Sequence, residues 1–291
     1  MASWHSCLAA QQRGNRRRSI SVIVPTRHEA ENVRELTARL FKSMSGNNSE
    51  WELMFVDDSD DDTPDRIEDL SREFSFVRLV HRIPGDRRGG LAGAVVEGLS
   101  AAKGSTIVVM DGDLQHPPEV VPVLANSVLT GACSIAVGSR YAGTGRSAGL
   151  SGPYRRTVSQ LSRLVVRCVF PAIWRVRDPL SGFFALDRDV IVDTALAPEG
   201  FKILLEVLIC GHWDEVREIP YDFAARWSGG SKAGWREGNQ FLRQVVRLRL
   251  PAGDPKQPVR PVLDSTCRIT VPAQTGRTTA GRTSAGVGAQ G

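Results

Sequence analysis

Apolar residues along this chain fall into two alternating rhythms. Short runs rich in Val and Ile, namely ISVIVP (Ile20 to Pro25), WELMFV (Trp51 to Val56), FVRLVH (Phe76 to His81), STIVVM (Ser105 to Met110) and CSIAVGS (Cys133 to Ser139), have the length and composition of β-strands. Between the first two, Val33, Leu36, Leu40 and Met44 recur at helical spacing behind the acidic Glu29 and Glu31. Strand and helix alternate. That order predicts an α/β fold, a mostly parallel central sheet with helices on both faces, which binds ligands outside the carboxyl ends of its strands. Asp57 and Asp58 follow one apolar run and Asp111 and Asp113 another, so both acidic pairs are expected on one rim.

The two ends break the rhythm. Residues 1–18 are polar and finish in three arginines, while residues 251–291 hold no aromatic residue and only Asp254 and Asp264 as acids. Neither composition can bury enough apolar surface to offset its ordering entropy, so both are predicted to be disordered, with one folded domain over residues 19–250. No window approaches the ~18 consecutive apolar residues of a spanning helix, and the first nineteen residues lack the apolar stretch of a signal peptide. The expectation is an intracellular protein that does not span a membrane. Cys7, Cys133, Cys168, Cys210 and Cys267 are scattered and form no CxxC pair, which argues against both a disulfide framework and a zinc site. A net charge of +5 suits nucleic acid, an anionic membrane or phosphorylated substrates. Nucleic acid is disfavoured: aromatic residues make up 7% of the chain and are not interleaved with the arginines.

The chemistry concentrates in VVMDGDLQHPPE, from Val108 to Glu119, where carboxylates at Asp111 and Asp113 and the amide of Gln115 follow an apolar strand. Oxygen donors at alternate positions share one face of an ideal strand, and at the rim of a sheet they can meet either a cation, such as Mg²⁺ or Mn²⁺, or a reacting centre. Gly112 permits the chain to turn and converge them. For His116 a structural hydrogen bond ahead of Pro117 and Pro118 is a better reading than metal ligation, since imidazole is a poor partner for Mg²⁺. The nearby RRGGLAGA (Arg87 to Ala94) lacks the GK[ST] of a phosphate loop, and its small residues fit close helix packing instead.

Seven segments, IVPTRHEAENV, FVDDSDDDTPD, MDGDLQHPPE, VGSRYAGTG, DPLSGFFAL, GFKILLEVL and FAARWSGGSK, occur in the order found in the dolichol-phosphate mannose synthase group of inverting family 2 glycosyltransferases, which this chain resembles over residues 20–250. The resemblance implies a GT-A fold, a nucleotide-activated sugar donor, a divalent cation and a polyprenyl phosphate acceptor. On the donor side it implies nucleoside contacts from Pro25, Arg27, Glu29, Val56 and Asp58, with Asp111 and Gly112 beside the nucleotide. Arg27 stands where the family has an aromatic residue, so either base stacking falls to a guanidinium plane or that contact is lost. For Glu29, a helix-terminal carboxylate is an equally good reading. Asp60, Asp61 and Asp62 read as an exposed turn. The metal ligands implied are Asp111, Asp113 and Gln115. Arg226, Ser231 and Lys232, in a glycine-containing loop, match a diphosphate clamp.

The acceptor side explains why no nucleophilic triad is visible. A phosphate monoester, with a second pKa of about 6, is already ionised near neutral pH and needs no general base. It does need cations. By resemblance Arg140 and Arg155 hold that phosphate, with Ser159 one helical turn further as hydrogen-bond donor and Arg156 as a substitute for Arg155; the glycine-rich segment between them reads as a flexible acceptor loop. In RRTVSQLSRLVVRCVF, Arg156, Ser159, Arg163 and Arg167 share one helical face and Val158, Leu161, Val165 and Val169 another. That pattern fits an interfacial helix with arginines toward lipid headgroups, and equally a core helix. QFLRQVVRLRL (Gln240 to Leu250) repeats the mixture. The expected activity is inverting transfer of mannose from GDP-mannose to a polyprenyl phosphate, with Asp113 and Arg140 as the catalytic residues, on the cytoplasmic face of a membrane. A UDP-sugar donor is the runner-up, and a non-catalytic sugar-nucleotide-binding protein is the reading from another class. Whether a separate membrane subunit takes part is not legible in these motifs.

Overall fold

The structure, a computed structural model, describes residues 18–143, 153–197, 202–223, 235–250 and 268–270, with the backbone alone for 153–158, 235–237, 239 and 268–270. Its centre is an eight-stranded sheet in the order β3-β2-β1-β4-β6-β5-β7-β8. The strands are β1 (Ser19–Thr26), β2 (Glu50–Asp57), β3 (Val77–His81), β4 (Thr106–Val109), β5 (Ile135–Ser139), β6 (Phe184–Asp187), β7 (Glu215–Pro220) and β8 (Arg268–Thr270). All pairings are parallel except those of β6, which runs antiparallel to β4 and β5. The five strands expected from the apolar runs are all present within a residue or two.

Three differences from the sequence expectations have physical causes. β6 is only four residues, FALD, and β7, EVREIP, breaks its apolar positions with three charged residues, so neither stands out as an apolar run. β8 lies inside the C-terminal segment expected to be disordered and extends the sheet edge beside β7. β4 stops at Val109, so Asp111, Asp113 and Gln115 sit in a turn and do not share a strand face.

Among the described residues seven α-helices cover the sheet: α1 (Val33–Met44), α2 (Thr63–Glu73), α3 (Gly90–Ala101), α4 (Val121–Leu129), α5 (Pro153–Val169), α6 (Ile203–Cys210) and α7 (Trp235–Arg249). Side-chain alternation along the strands separates two cores. Val22, Val24, Leu53 and Phe55 pack with Leu36 and Leu40 of α1, Ile67 of α2 and Leu124 of α4. Ile23, Met54, Val56 and Ile107 pack on the opposite face with Val95 of α3, Val166 of α5, Leu204 of α6 and Val245 of α7. This is the layered α/β arrangement that the alternation predicts. Helix α3 comes unusually close: a Cβ on Gly98 would lie 2.6 Å from Cγ2 of Ile23.

Because seven strands run one way, the ends of β1, β2, β4, β5 and β7 meet on one rim, together with the start of β6. Between β1 and β4 the chain order reverses, and such a point opens the crevice in which sheets of this kind bind ligands.

Candidate active site

The rim is built around the turn after β4. Gly112 lies against β1, where a Cβ would stand 3.1 Å from Cγ2 of Thr26. Leu114 takes a left-handed φ of 60° while its side chain is buried, a conformation costly for any residue but glycine and one that collects at functional sites. The reversal is held by Asp113, whose Oδ1 accepts the Gln115 backbone N–H at 3.1 Å. His116 then folds back, and its Nδ1 accepts the Asp111 backbone N–H at 3.1 Å. Burial, chiefly, pushes the His116 pKa down to about 4, so the ring is neutral at physiological pH. It stacks on Phe183 and meets Tyr221 and Phe223 edge-on. The structural role expected of His116 is the one observed.

Residues 178–182, the segment DPLSG before β6, join the acidic turn to the cationic side. Asp178 accepts Nε and Nη2 of Arg140 at 2.8 and 2.9 Å, and the Arg140 backbone N–H at 3.2 Å. Asp178 is buried and is itself held by Glu218, which accepts the backbone N–H groups of Asp178 and Arg177. Desolvation raises the Glu218 pKa, partly offset by those N–H groups and by Ser139. Four residues on, Gly182 faces Asp111: a Cβ there would sit 3.1 Å from Oδ2 of Asp111. One short segment thus aims Arg140 and leaves room for the Asp111 carboxylate. Lys202, at the start of α6, lies within electrostatic reach of Arg140, Asp111 and Asp178; burial and then Arg140 lower its pKa to about 8. Its backbone carbonyl accepts Nε2 of Gln244, which fastens α7 beside it.

The corner expected to take the donor is a second network of buried charges. Asp57 is fully buried and accepts the hydroxyls of Thr26 and Ser59 and a ring nitrogen of His81. Asp58 receives Nε and Nη2 of the buried Arg82 at 2.7 and 2.6 Å, and Arg82 also bonds the carbonyls of Arg88 and Gly90. Glu29 lies three residues before the N-cap of α1 and accepts Nδ2 of Asn32, so its carboxylate meets the capping side chain and stands outside the first helical turn, where Glu35 is the acid. Glu29 also lines a cleft of about 320 Å³ with His28, Asn32, Asp61 and Arg66. A larger cavity, about 590 Å³, opens at the opposite edge beside the strand starts Ser19, Glu50 and Ser105. The carboxyl-end rim is the candidate site, because the larger cavity has neither a strand-end carboxylate pair nor the crevice where strand order reverses.

Not every expected residue reaches this rim. Val56 is fully buried in the core against Gly98, so its side chain packs the sheet and does not offer a nucleoside contact. Pro25 is buried at the end of β1, whereas Arg27 is exposed beside it. Ser159 is half-buried and within 3.1 Å of the Tyr141 hydroxyl, next to Arg140. The side chains of Arg155 and Arg156, and all of Arg226, Ser231 and Lys232, lie outside the described residues. The helical faces assigned to α5 also need correction. Leu161 and Leu164 are exposed, Val166 is the buried anchor, Arg163 lies over the Tyr141 ring and Arg167 bonds the Trp174 carbonyl, so the last two arginines are tied down and do not reach outward. Asp178, Glu218, Arg82, Lys202 and Tyr221 were given no role from the sequence. Asp178 and Lys202 fall in motif segments, and that was the available signal.

The comparisons with known proteins agree with this geometry. The family model described as Glycosyl transferase family 2 matches residues 21–191. A dolichol-phosphate mannosyltransferase from Pyrococcus furiosus is 41% identical over 79% of the chain, which spans 63% of that relative's length. One from Saccharomyces cerevisiae is 37% identical over 78% of the chain and 86% of its own length. One from Mycosarcoma maydis is 35% identical over 79% of each. The fold is that of glucosyl-3-phosphoglycerate synthase from Mycobacterium tuberculosis, solved with Mn²⁺, UDP-glucose and phosphoglyceric acid, with a TM-score of 0.57 at 21% identity over 86% of this chain and 83% of that one. An acidic turn after β4, an arginine fixed at the end of β5, the family model over residues 21–191 and 35–41% identity to three mannosyltransferases over 78–79% of the chain lead to one conclusion: the chain belongs to glycosyl transferase family 2, alongside the dolichol-phosphate mannosyltransferases.

Proposed function

We propose that the protein transfers mannose from GDP-mannose to the phosphate of a polyprenyl lipid, with inversion at the anomeric carbon. The observation that carries this reading is the pairing, on one rim, of the Asp111/Asp113 turn with Arg140 through residues 178–182. Opposite charges side by side suit a reaction between two phosphorylated substrates. Arg140 is desolvated yet held fully cationic by Asp178, and so offers a fixed positive charge to an acceptor phosphate. An ionised phosphate oxygen attacks the anomeric carbon, the bond to the diphosphate breaks, and its electron pair leaves with the diphosphate. No proton has to move. What the chain contributes is proximity and charge.

Asp111, Asp113 and Gln115 are hard oxygen donors at the nucleotide side of this turn, and they fit Mg²⁺ or Mn²⁺. Asp111 is 39% exposed and has space beside Gly182, as a ligand to a shared ion requires. Among the described residues no three His, Cys, Asp or Glu side chains converge on a metal, so substrate oxygens would complete the sphere. When bound, the ion supplies counter-charge to the diphosphate leaving group. Lys202 adds a cation to the same rim. The solved Mycobacterium enzyme binds Mn²⁺ with a UDP-sugar, and the same oxygen chemistry supports a divalent cation here.

Among the described residues no helix is long and apolar enough to cross a membrane. Access to a lipid acceptor is proposed through α5 and α7, which pack together and expose Leu161, Leu164, Leu242, Val246 and Leu250. Such apolar rows on basic helices fit peripheral attachment to an anionic membrane face. The test is incubation of purified protein and short polyprenyl phosphate with GDP-mannose or UDP-glucose in parallel, in Mn²⁺ and in chelator. Lipid-linked mannose formed only with metal is the expected product. Lipid-linked glucose would reassign the donor, and binding of either nucleotide without transfer would favour the non-catalytic reading.

A further inference from the structure

The end of β7 places a hydroxyl in this rim that no step above uses. Tyr221 follows Pro220, and its backbone N–H reaches the Ser139 carbonyl at 3.3 Å, one residue before Arg140. Its ring is packed edge-on against Phe183 and near His116 and Phe223, while Arg140 lies over the Phe223 ring with 5.5 Å to the centroid. The side chain is 5% exposed, and its Oη has no hydrogen-bond partner among the described residues. A buried hydroxyl left unpaired lowers stability, and a phenylalanine would fill the same space without that cost. The charges felt at this hydroxyl are, in order, those of Arg140, Asp178, Asp111 and Asp113. Its ring lies between His116, which closes the acidic turn, and Phe223, which carries Arg140 on its face.

We propose that the Tyr221 hydroxyl donates a hydrogen bond to an anionic phosphate oxygen of the acceptor beside Arg140, which makes it a further substrate-binding residue. The inference rests on the transfer reading above. Burial keeps the phenol protonated well above physiological pH, so the group acts as a donor and not as a base. Three groups then converge on the acceptor phosphate from separate elements: Arg140 from the end of β5, Ser159 from α5 and Tyr221 from the end of β7. Phosphate from the donor could satisfy the same hydroxyl, and the two sources are separable by experiment.

Tyr221→Phe removes the oxygen alone. Binding of short-chain polyprenyl phosphate and, separately, of GDP with Mn²⁺ would be measured by calorimetry, together with kcat/KM for the acceptor and the melting temperature. The expected result is a loss of about tenfold or more in acceptor affinity and in kcat/KM, since hydrogen bonds to charged groups are among the stronger ones. GDP affinity should be unchanged and the melting temperature equal or higher. Unchanged acceptor binding with a raised melting temperature would mean an idle hydroxyl and would overturn the proposal. An equal loss of GDP affinity would move the contact to the donor, and a lowered melting temperature would show a partner already engaged in the free protein; either also overturns it. If the wild-type protein binds the lipid phosphate but turns over no sugar, the transfer reading fails while this comparison still stands.

Discussion

Asp178 shows how much of the site depends on a residue that need not touch substrate. It holds Arg140 by two side-chain bonds and one backbone bond from a fully buried position. Asp178→Asn should cost about 3–5 kcal/mol, because it leaves the guanidinium without its counter-charge in a desolvated place. Denaturant melts would read the stability loss, and kcat/KM for the acceptor should fall further than KM for GDP-mannose rises. Asp113→Asn has the opposite signature. Its oxygen accepts one backbone N–H, which an amide oxygen can also do, so folding should survive while Mn²⁺-dependent transfer falls by orders of magnitude. A variant that melts early yet turns over normally would remove the metal role from this turn. Cys133 supplies a pH test of the core. Burial, with little relief from Arg217, pushes its thiol up to about 12. The folded state keeps a proton that the unfolded chain loses from about pH 9.0 upward, so the stability tied to this thiol is intact below that pH and lost between it and about 12. Urea midpoints across that range should fall less steeply in Cys133→Ala than in the wild type. The aspartates of the motif were legible because strand ends that carry paired carboxylates are rare in packed interiors. Asp178, Glu218 and Tyr221 were not, because a single polar residue between apolar runs looks the same whether it anchors an arginine or faces water.

At the scale of elements, glycine in a helix shows that packing can reverse a propensity. In an open helix, Gly→Ala stabilises by about 1 kcal/mol. Gly238 in α7 has nothing within 4 Å of an added Cβ, and Gly238→Ala should raise the melting temperature accordingly. Gly93 in α3 is the contrary case. An added Cβ would lie 1.9 Å from the Arg88 carbonyl oxygen and 2.9 Å from Nη1 of Arg82, and a backbone atom cannot step aside as a flexible side chain can. Gly93→Ala should therefore destabilise by about 1–3 kcal/mol and loosen the Arg82–Asp58 pair on the donor corner, which GDP binding would detect. The small residues of RRGGLAGA thus do what close packing requires, as read from the sequence. The helical faces of α5 were harder. Periodicity gives an amphipathic stripe but not its neighbours: Tyr141, whose ring pins Arg163, comes from the loop after β5, and Trp174, whose carbonyl holds Arg167, from the turn just past the helix. β6 and β7 escaped for a related reason: four residues reading FALD are a strand only because β4 and β5 stand on either side.

Across the whole molecule, the sheet sorts its charge by end and its apolar surface by face. Acidic turns and the fixed arginine gather at the carboxyl rim, while α5 and α7 leave leucine and valine rows uncovered beside arginines. Leu161 and Leu164 are three residues apart on α5, and Leu242, Val246 and Leu250 recur every four residues along and just past α7, so each helix presents one row. Helix α7 is fixed to the site by Gln244 on the Lys202 carbonyl and by Arg247 on the buried Glu206. A surface that grips a membrane through these rows would hold the rim at the headgroup level, where a lipid phosphate is found. Replacing Leu161, Leu164, Leu242 and Val246 by serine should lower the melting temperature only modestly, because all four residues are already about half exposed. Flotation with anionic vesicles should drop sharply, and transfer to polyprenyl phosphate embedded in those vesicles should drop with it. Transfer to a short acceptor in detergent should stay near the wild-type rate, since no atom of the rim is altered. Undiminished flotation of the variant would place the membrane contact elsewhere on the molecule. Equal losses in vesicles and in detergent would mean that these leucines support the site itself and are not its attachment to the lipid.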